Sequence, residues 1–197
     1  MTHRPPRAAP CGDRVGGFTL IEMLVIVVII GVLVAFVAPK IDITRYRVES
    51  AMQGIGTTIV AAQHEAITRQ YDVVLMFDTG AASVRILEDE NDNGTRDANE
   101  RERAVPLGDL IVFGRAGTPA GAIGTDDVTF TQQREGLPAL TFHRNGSASE
   151  AGGFYLTSRR EVRTGQYPQD SRQAAIERST GRLRWYRYGS GTWQRGF

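Results

Sequence analysis

The feature that most limits what this chain can become is an apolar run. From Phe18 to Ala38, "FTLIEMLVIVVIIGVLVAFVA", 21 residues hold a single charge, Glu22. A helix of that length rises roughly 32 Å, enough to cross a hydrocarbon core of about 30 Å. An ionised carboxylate in hydrocarbon costs several kcal/mol unless it is paired, so Glu22 reads as a functional residue awaiting a partner. Arg4, Arg7 and Arg14 against Asp13 precede the run, which predicts a cytoplasmic N-terminal tail and an exported remainder. Lys40, Arg45 and Arg47 on the far side weaken that signal without reversing it. A cleaved secretory signal would end in small residues after its apolar core. Here the core runs on into Pro39-Lys40-Ile41-Asp42, and the small pair Gly16-Gly17 comes before it. Cys11 has no apolar stretch in front of it, so a lipoprotein signal is not met either.

The six residues Gly17-Phe18-Thr19-Leu20-Ile21-Glu22, followed by the unbroken apolar stretch, resemble the processing motif of type IV prepilins and of the pseudopilins of type II secretion. The resemblance implies that a prepilin peptidase cuts between Gly17 and Phe18 and methylates the new Phe18 amine. Glu22 then becomes the fifth residue of the mature chain, and its expected partner is the Phe18 amine of a neighbouring subunit in a fibre. Pro39 falls where many pilins carry a helix-bending proline.

Beyond the run the helical period persists. Val48, Met52, Ile55, Ile59, Ala62 and Ala66 recur at steps of four and three, which places one apolar stripe along a helix to about Gln70. Gly54 and Gly56 each cost about 1 kcal/mol against alanine in a helix, so packing must hold this part together. From Tyr71 the period shortens. "YDVVLMF", "ASVRIL", "DLIVFG", "DVTFT", "ALTFH", "GFYLTS", "QAAIERS" and "RLRWYRY" are β-rich runs separated by Gly, Asn, Asp and Pro. The expected class is α+β, a long N-terminal helix packed on antiparallel β-sheet. The expected boundaries are a leader over 1–17, a membrane or fibre-core helix over 18–39, its amphipathic continuation over 40–70 and a periplasmic β domain over 71–197. "LTFHRNG" and "ERSTGRLR" within that domain resemble the GspH/FimT branch of minor pilins.

Charge is balanced overall at +1 but unevenly placed. Glu88 to Glu102 carries seven acids and two arginines, while Thr157 to Phe197 carries nine arginines and three acids. In the acidic stretch, "DENDNGTRDANE" fits the calcium-loop template D-x-[DN]-x-[DN]-G-x5-E. Asp89, Asn91 and Asn93 would be the first oxygen ligands, Thr95 would give its carbonyl, Asp97 could act through water and Glu100 would close the site. The alternative is a solvated acidic hairpin turning at Asn93-Gly94.

In the basic stretch, strand alternation puts Arg182, Arg184, Tyr186 and Tyr188 on one face and Leu183, Trp185 and Arg187 on the other. Arginines beside aromatic rings can hold phosphates and stack on bases, so Arg182, Arg184, Tyr186 and Arg187 form a candidate DNA surface. Gly181-Arg182-Leu183-Arg184 resembles the Gly-Arg-x-Arg element of FimT-type minor pilins linked to DNA uptake. The alternative is an edge strand whose charges block sheet-to-sheet pairing.

Cys11 is the only cysteine, so no disulfide is available to the chain. His3, His64 and His143 are isolated in sequence, and no zinc signature, nucleophile elbow or phosphate loop is present. The chain therefore reads as a substrate of the peptidase and not as an enzyme. It has no small-molecule substrate on this reading; its partners are the peptidase, other pilins or pseudopilins, the bacterial inner membrane and, in the FimT-like alternative, DNA.

Overall fold

The computed structural model describes residues 17–37 and 42–196. The chain divides into two compact units, one up to Asp42 and one from Ile43. The first holds helix α1, Leu20–Val37. Among the described residues no helix is long and apolar enough to cross a membrane. At 1.5 Å per residue the 18 residues of α1 rise about 27 Å, short of a hydrocarbon core of about 30 Å. The expected 21-residue span includes Ala38, which lies outside the described residues, as do Pro39, Lys40 and the leader to Gly16.

The second unit begins with α2, Ile43–Arg69. Its buried side is Val48, Met52, Ile55, Gly56, Ile59, Ala62 and Ala66, the predicted stripe with one glycine added. Gly56 is buried for a packing reason. A Cβ there would stand 3.1 Å from the indole nitrogen of Trp185, so the absent side chain is the notch that seats the ring. A Cβ at Gly54 would meet nothing within 4 Å.

Among the described residues ten strands follow: β1 Asp72–Asp78, β2 Ser83–Asp89, β3 Glu102–Pro106, β4 Ile111–Phe113, β5 Gln133–Arg134, β6 Leu137–Phe142, β7 Gly152–Ser158, β8 Arg172–Ile176, β9 Leu183–Gly189 and β10 Thr192–Arg195. They form two antiparallel sheets, ordered β3-β2-β1-β6-β5 and β10-β9-β8-β7-β4. A short helix α3, Arg159–Thr164, leaves β7. Its N-cap is Ser158, whose hydroxyl accepts from the Glu161 amide at 3.2 Å. "DVTFT", read as a strand, is not one: Val128 makes a single bridge to Phe154. β3, β5, β10 and α3 were not foreseen.

The two sheets and α2 share one core. Val73, Leu75 and Phe77 of β1 point into it, with Phe113 from β4, Phe154 and Leu156 from β7 and the buried side of α2. Phe77 lies at its centre, 5.1 Å from Phe130, 5.2 Å from Phe154 and 6.0 Å from Phe113 between ring centroids. Phe154 meets Trp185 edge-on at 5.9 Å. α2 is also tied by polar contacts. Arg172 of β8, only 2% exposed, donates to Glu49 at 3.3 Å and to the carbonyls of Gln169 and Ser171. Burial lowers its affinity for a proton, and Glu49 opposes that shift.

At the other end, the Gln63 amide of α2 donates to the carbonyls of Gly146 and Thr180, at 2.6 and 2.7 Å. This clamp explains Gly181, the glycine of the Gly-Arg-x-Arg element. Its φ is +61°, and a Cβ would stand 2.5 Å from the Gly146 carbonyl oxygen and 2.4 Å from Gln63 Nε2. Gly181→Ala is expected to cost about 2–4 kcal/mol, the sum of a left-handed backbone penalty and overpacking. Urea denaturation checks it, with Gly54→Ala as the opposite case, neutral to stabilising by about 1 kcal/mol.

Candidate functional site

Three regions carry the predicted site residues. The first is the start of α1. Gly17, Phe18 and Thr19 precede the helix, and all three are exposed. The Glu22 amide donates to the Thr19 hydroxyl at 3.3 Å and to the Thr19 carbonyl at 3.1 Å, and the Met23 amide reaches the same carbonyl at 3.2 Å. Thr19 is therefore the N-cap and Glu22 the third helical residue, the spacing of a capping box. The Thr-x-x-Glu pattern of such a box lies within the Gly17–Glu22 cleavage motif, Thr19 and Glu22 serving as its two ends. Glu22 thus stands in the first turn, where the partial positive charge of the helix end favours an anion.

The rest of α1 has no polar side. Leu20, Ile21, Leu24, Val27, Ile30 and Leu33 are all exposed, around the full turn of the helix. A helix apolar all round is stable only when lipid or other protein covers it.

The second region is the loop from Asp89 to Glu102, which links β2 to the edge strand β3. Asp89 accepts from the amides of Asn93 at 3.0 Å and Gly94 at 2.6 Å. Gly94 turns the chain at φ +71°, with the Arg134 guanidinium 3.0 Å from where a Cβ would sit. The side-chain amides of Asn91 and Asn93 both donate to Asp97 Oδ2, at 2.6 and 2.8 Å. Thr95 donates to Asn93 Oδ1 through its amide and its hydroxyl. The Asp97 amide in turn donates to Glu100 Oε2 at 2.9 Å. Burial pushes the Asp89 carboxyl above the usual carboxylate range, the amides of Gly94 and Asn93 oppose that, and the charges of Glu100 and Asp92 add to it. The six residues of the template are therefore brought together. Among the described residues, no three acidic, histidine or cysteine side chains converge as they stand on a point that could hold a metal ion.

The third region is β9. Leu183 and Trp185 pack against the core as alternation predicts. Arg182 precedes the strand and is exposed. Arg184 pairs with Glu177 at 3.5 Å, and Tyr186 is half-buried. Arg187 is on the opposite face, lining the groove beside Glu49, Gly56 and Trp185 of the α2 side. The four residues read as one DNA surface are thus split between two faces, and one of the arginines is already held by an acid.

Comparison with known sequences agrees with the N-terminal reading and with the branch. Residues 13–38 match the model of the prokaryotic N-terminal methylation motif, and residues 51–181 match that of the type II transport protein GspH. The chain is 32% identical over 93 residues to the pilin-like protein PilA1 of Thermus thermophilus, a stretch covering 47% of this chain and 60% of that protein. Among solved structures it is similar to two of the minor pseudopilin EpsH from the type 2 secretion system of Vibrio cholerae. One is 19% identical with a TM-score of 0.45, covering 71% of this chain and 94% of the other. The second is 17% identical with a TM-score of 0.46, covering 75% and 99%.

Proposed function

The chain belongs to the family of the type II transport protein GspH, and from that premise we propose that it is a minor subunit of a pilus-like fibre, either a type II secretion pseudopilus or a type IV pilus. A prepilin peptidase cuts it between Gly17 and Phe18 and methylates Phe18. The apolar segment then holds it in the inner membrane, with the unit from Ile43 onward on the periplasmic side, until it joins other pilins.

The observation that carries this reading is α1, apolar around its whole circumference with one carboxylate in its capped first turn. Such a surface needs lipid first and neighbouring helices afterwards. The lone carboxylate fits a second requirement, because cleavage makes an amine at Phe18 that can pair with Glu22 of another copy or another pilin.

The test is the mass and location of the chain in a host that makes prepilin peptidase. Sheared fibres should contain a chain that starts at Phe18, 197 − 17 = 180 residues long, carrying one methyl group. An uncut chain confined to the membrane fraction would overturn the proposal.

A further inference from the structure

The acidic loop between β2 and β3 holds two buried carboxylates that have no ion-pair partner among the described residues. Two of its acids have arginine partners, Asp92 with Arg144 and Glu102 with Arg85 at 2.5 Å and Arg96 at 3.0 Å, while Glu90 and Asp97 are exposed. Asp89 and Glu100 are different. Asp89 is 2% exposed and Glu100 8%, and among the described residues neither forms an ion pair. Among the described residues Glu100 Oε1 is buried with no hydrogen-bond partner. A buried, unpaired carboxylate oxygen is costly, and a second buried carboxylate within electrostatic reach, Asp89, adds to that cost. A cation between them removes both penalties.

We propose that this loop binds a calcium ion through Asp89, Asn91, Asn93, the Thr95 carbonyl, Asp97 and Glu100. Every one of these donors is an oxygen, with no thiolate or imidazole among them, which suits a hard cation taking six or more ligands. Three of the six, Asp89, Asp97 and Glu100, are acids; among the described residues they do not converge on one point as they stand, so binding draws them together. The asparagines meet Asp97 through their NH2 groups. Their oxygens accept within the loop, Asn91 Oδ1 from the Asn93 amide at 3.1 Å and Asn93 Oδ1 from the Thr95 amide at 2.7 Å, and a bound ion would take these oxygens in place of those bonds. Gly94 at positive φ gives the sharp bend that the sixth place of such a loop requires. The bound ion would fasten the end of β2 to the chain entering the edge strand β3. This inference stands on the loop alone and is independent of the fibre reading.

The experiment uses the full chain in detergent micelles, freed of divalent ions by chelation and titrated with calcium chloride. Melting temperature and heat of binding are followed together. A saturable rise in melting temperature is expected, with a dissociation constant on the order of 10⁻⁴–10⁻³ M, as for extracellular calcium modules, and no matching rise with magnesium. Asp97→Ala, at an exposed position whose loss leaves the core untouched, should weaken binding about tenfold, as should Glu100→Gln. Asp126→Asn, outside the loop, should respond like the parent chain. A flat melting temperature and no heat up to about 10 mM calcium, far above the expected range, would overturn the proposal. So would an undiminished response in both loop variants, or an equal response to magnesium.

Discussion

With Glu22 replaced by alanine, the chain should still be cut after Gly17, methylated and inserted, yet be missing from sheared fibres. The expectation rests on where the carboxylate sits. An ionised acid inside a bilayer is penalised by about 3 kcal/mol on insertion scales, so alanine makes membrane insertion easier. The Thr19 cap accepts from the Glu22 backbone amide and not from its side chain, so the start of α1 survives the change. What is lost is the charge that meets a neighbour's Phe18 amine. Glu22→Gln separates charge from shape: it keeps the length and hydrogen-bonding capacity of the side chain, and it should be excluded from the fibre as well. Quantitative mass spectrometry of sheared fibres and membranes reads both variants. Incorporation of Glu22→Ala at the parent level would sink the pairing argument while leaving the cleavage site intact.

Phe77→Ala should remove about 3–5 kcal/mol of stability, the usual cost of emptying a fully buried phenylalanine site. Phe77 is fully buried and reaches from the middle of one sheet to the rings of Phe113 and Phe154 in the other. Neither sheet can collapse into the space without moving its strand register, since β1 is hydrogen-bonded on both sides, to β2 and β6. A domain of this size should melt roughly 10 °C lower. Because Phe154 links Phe77 to Trp185, tryptophan fluorescence should report the loosening before global unfolding. A loss below about 1 kcal/mol would mean that the inter-sheet core is not organised around this ring.

How much of this was legible in the sequence depends on whether the cause is local. The buried side of α2 follows from a 3.6-residue period that needs no knowledge of the partner, and Val48 to Ala66 are buried as expected. Gly56 is buried for a non-local reason, the Trp185 ring arriving from 129 residues away, and no helical pattern could announce it. The β-rich runs at β1, β2, β6, β7, β8 and β9 were legible because both their alternation and their turn residues are local. "DVTFT" has the same composition, yet β7 already pairs with β4 and β8, so only one bridge remains for it. β3, "ERAVP", escaped notice because an edge strand can carry charge and a proline, which is what marks it as an edge. In the candidate sites, the acidic loop was readable since its template is contiguous. The basic strand was readable only as to which face each residue takes; that Glu177 occupies Arg184 is a tertiary fact.

The Gln63 clamp has a consequence in time. Its two acceptors, the Gly146 and Thr180 carbonyls, lie 83 and 117 residues further along the chain. At about 5–20 residues per second, the acceptor at Thr180 is synthesised roughly 6–23 seconds after Gln63. Within that interval β1, β4 and β7 are already available to cover part of the apolar stripe, but the Gly56 notch stays empty, since the strand that carries Trp185 into it comes later still. On the proposed topology, with the N-terminal tail left in the cytoplasm and the rest exported, α2 reaches the new compartment before the strand that seats Trp185, so the docking surface is made early and its last cover arrives late.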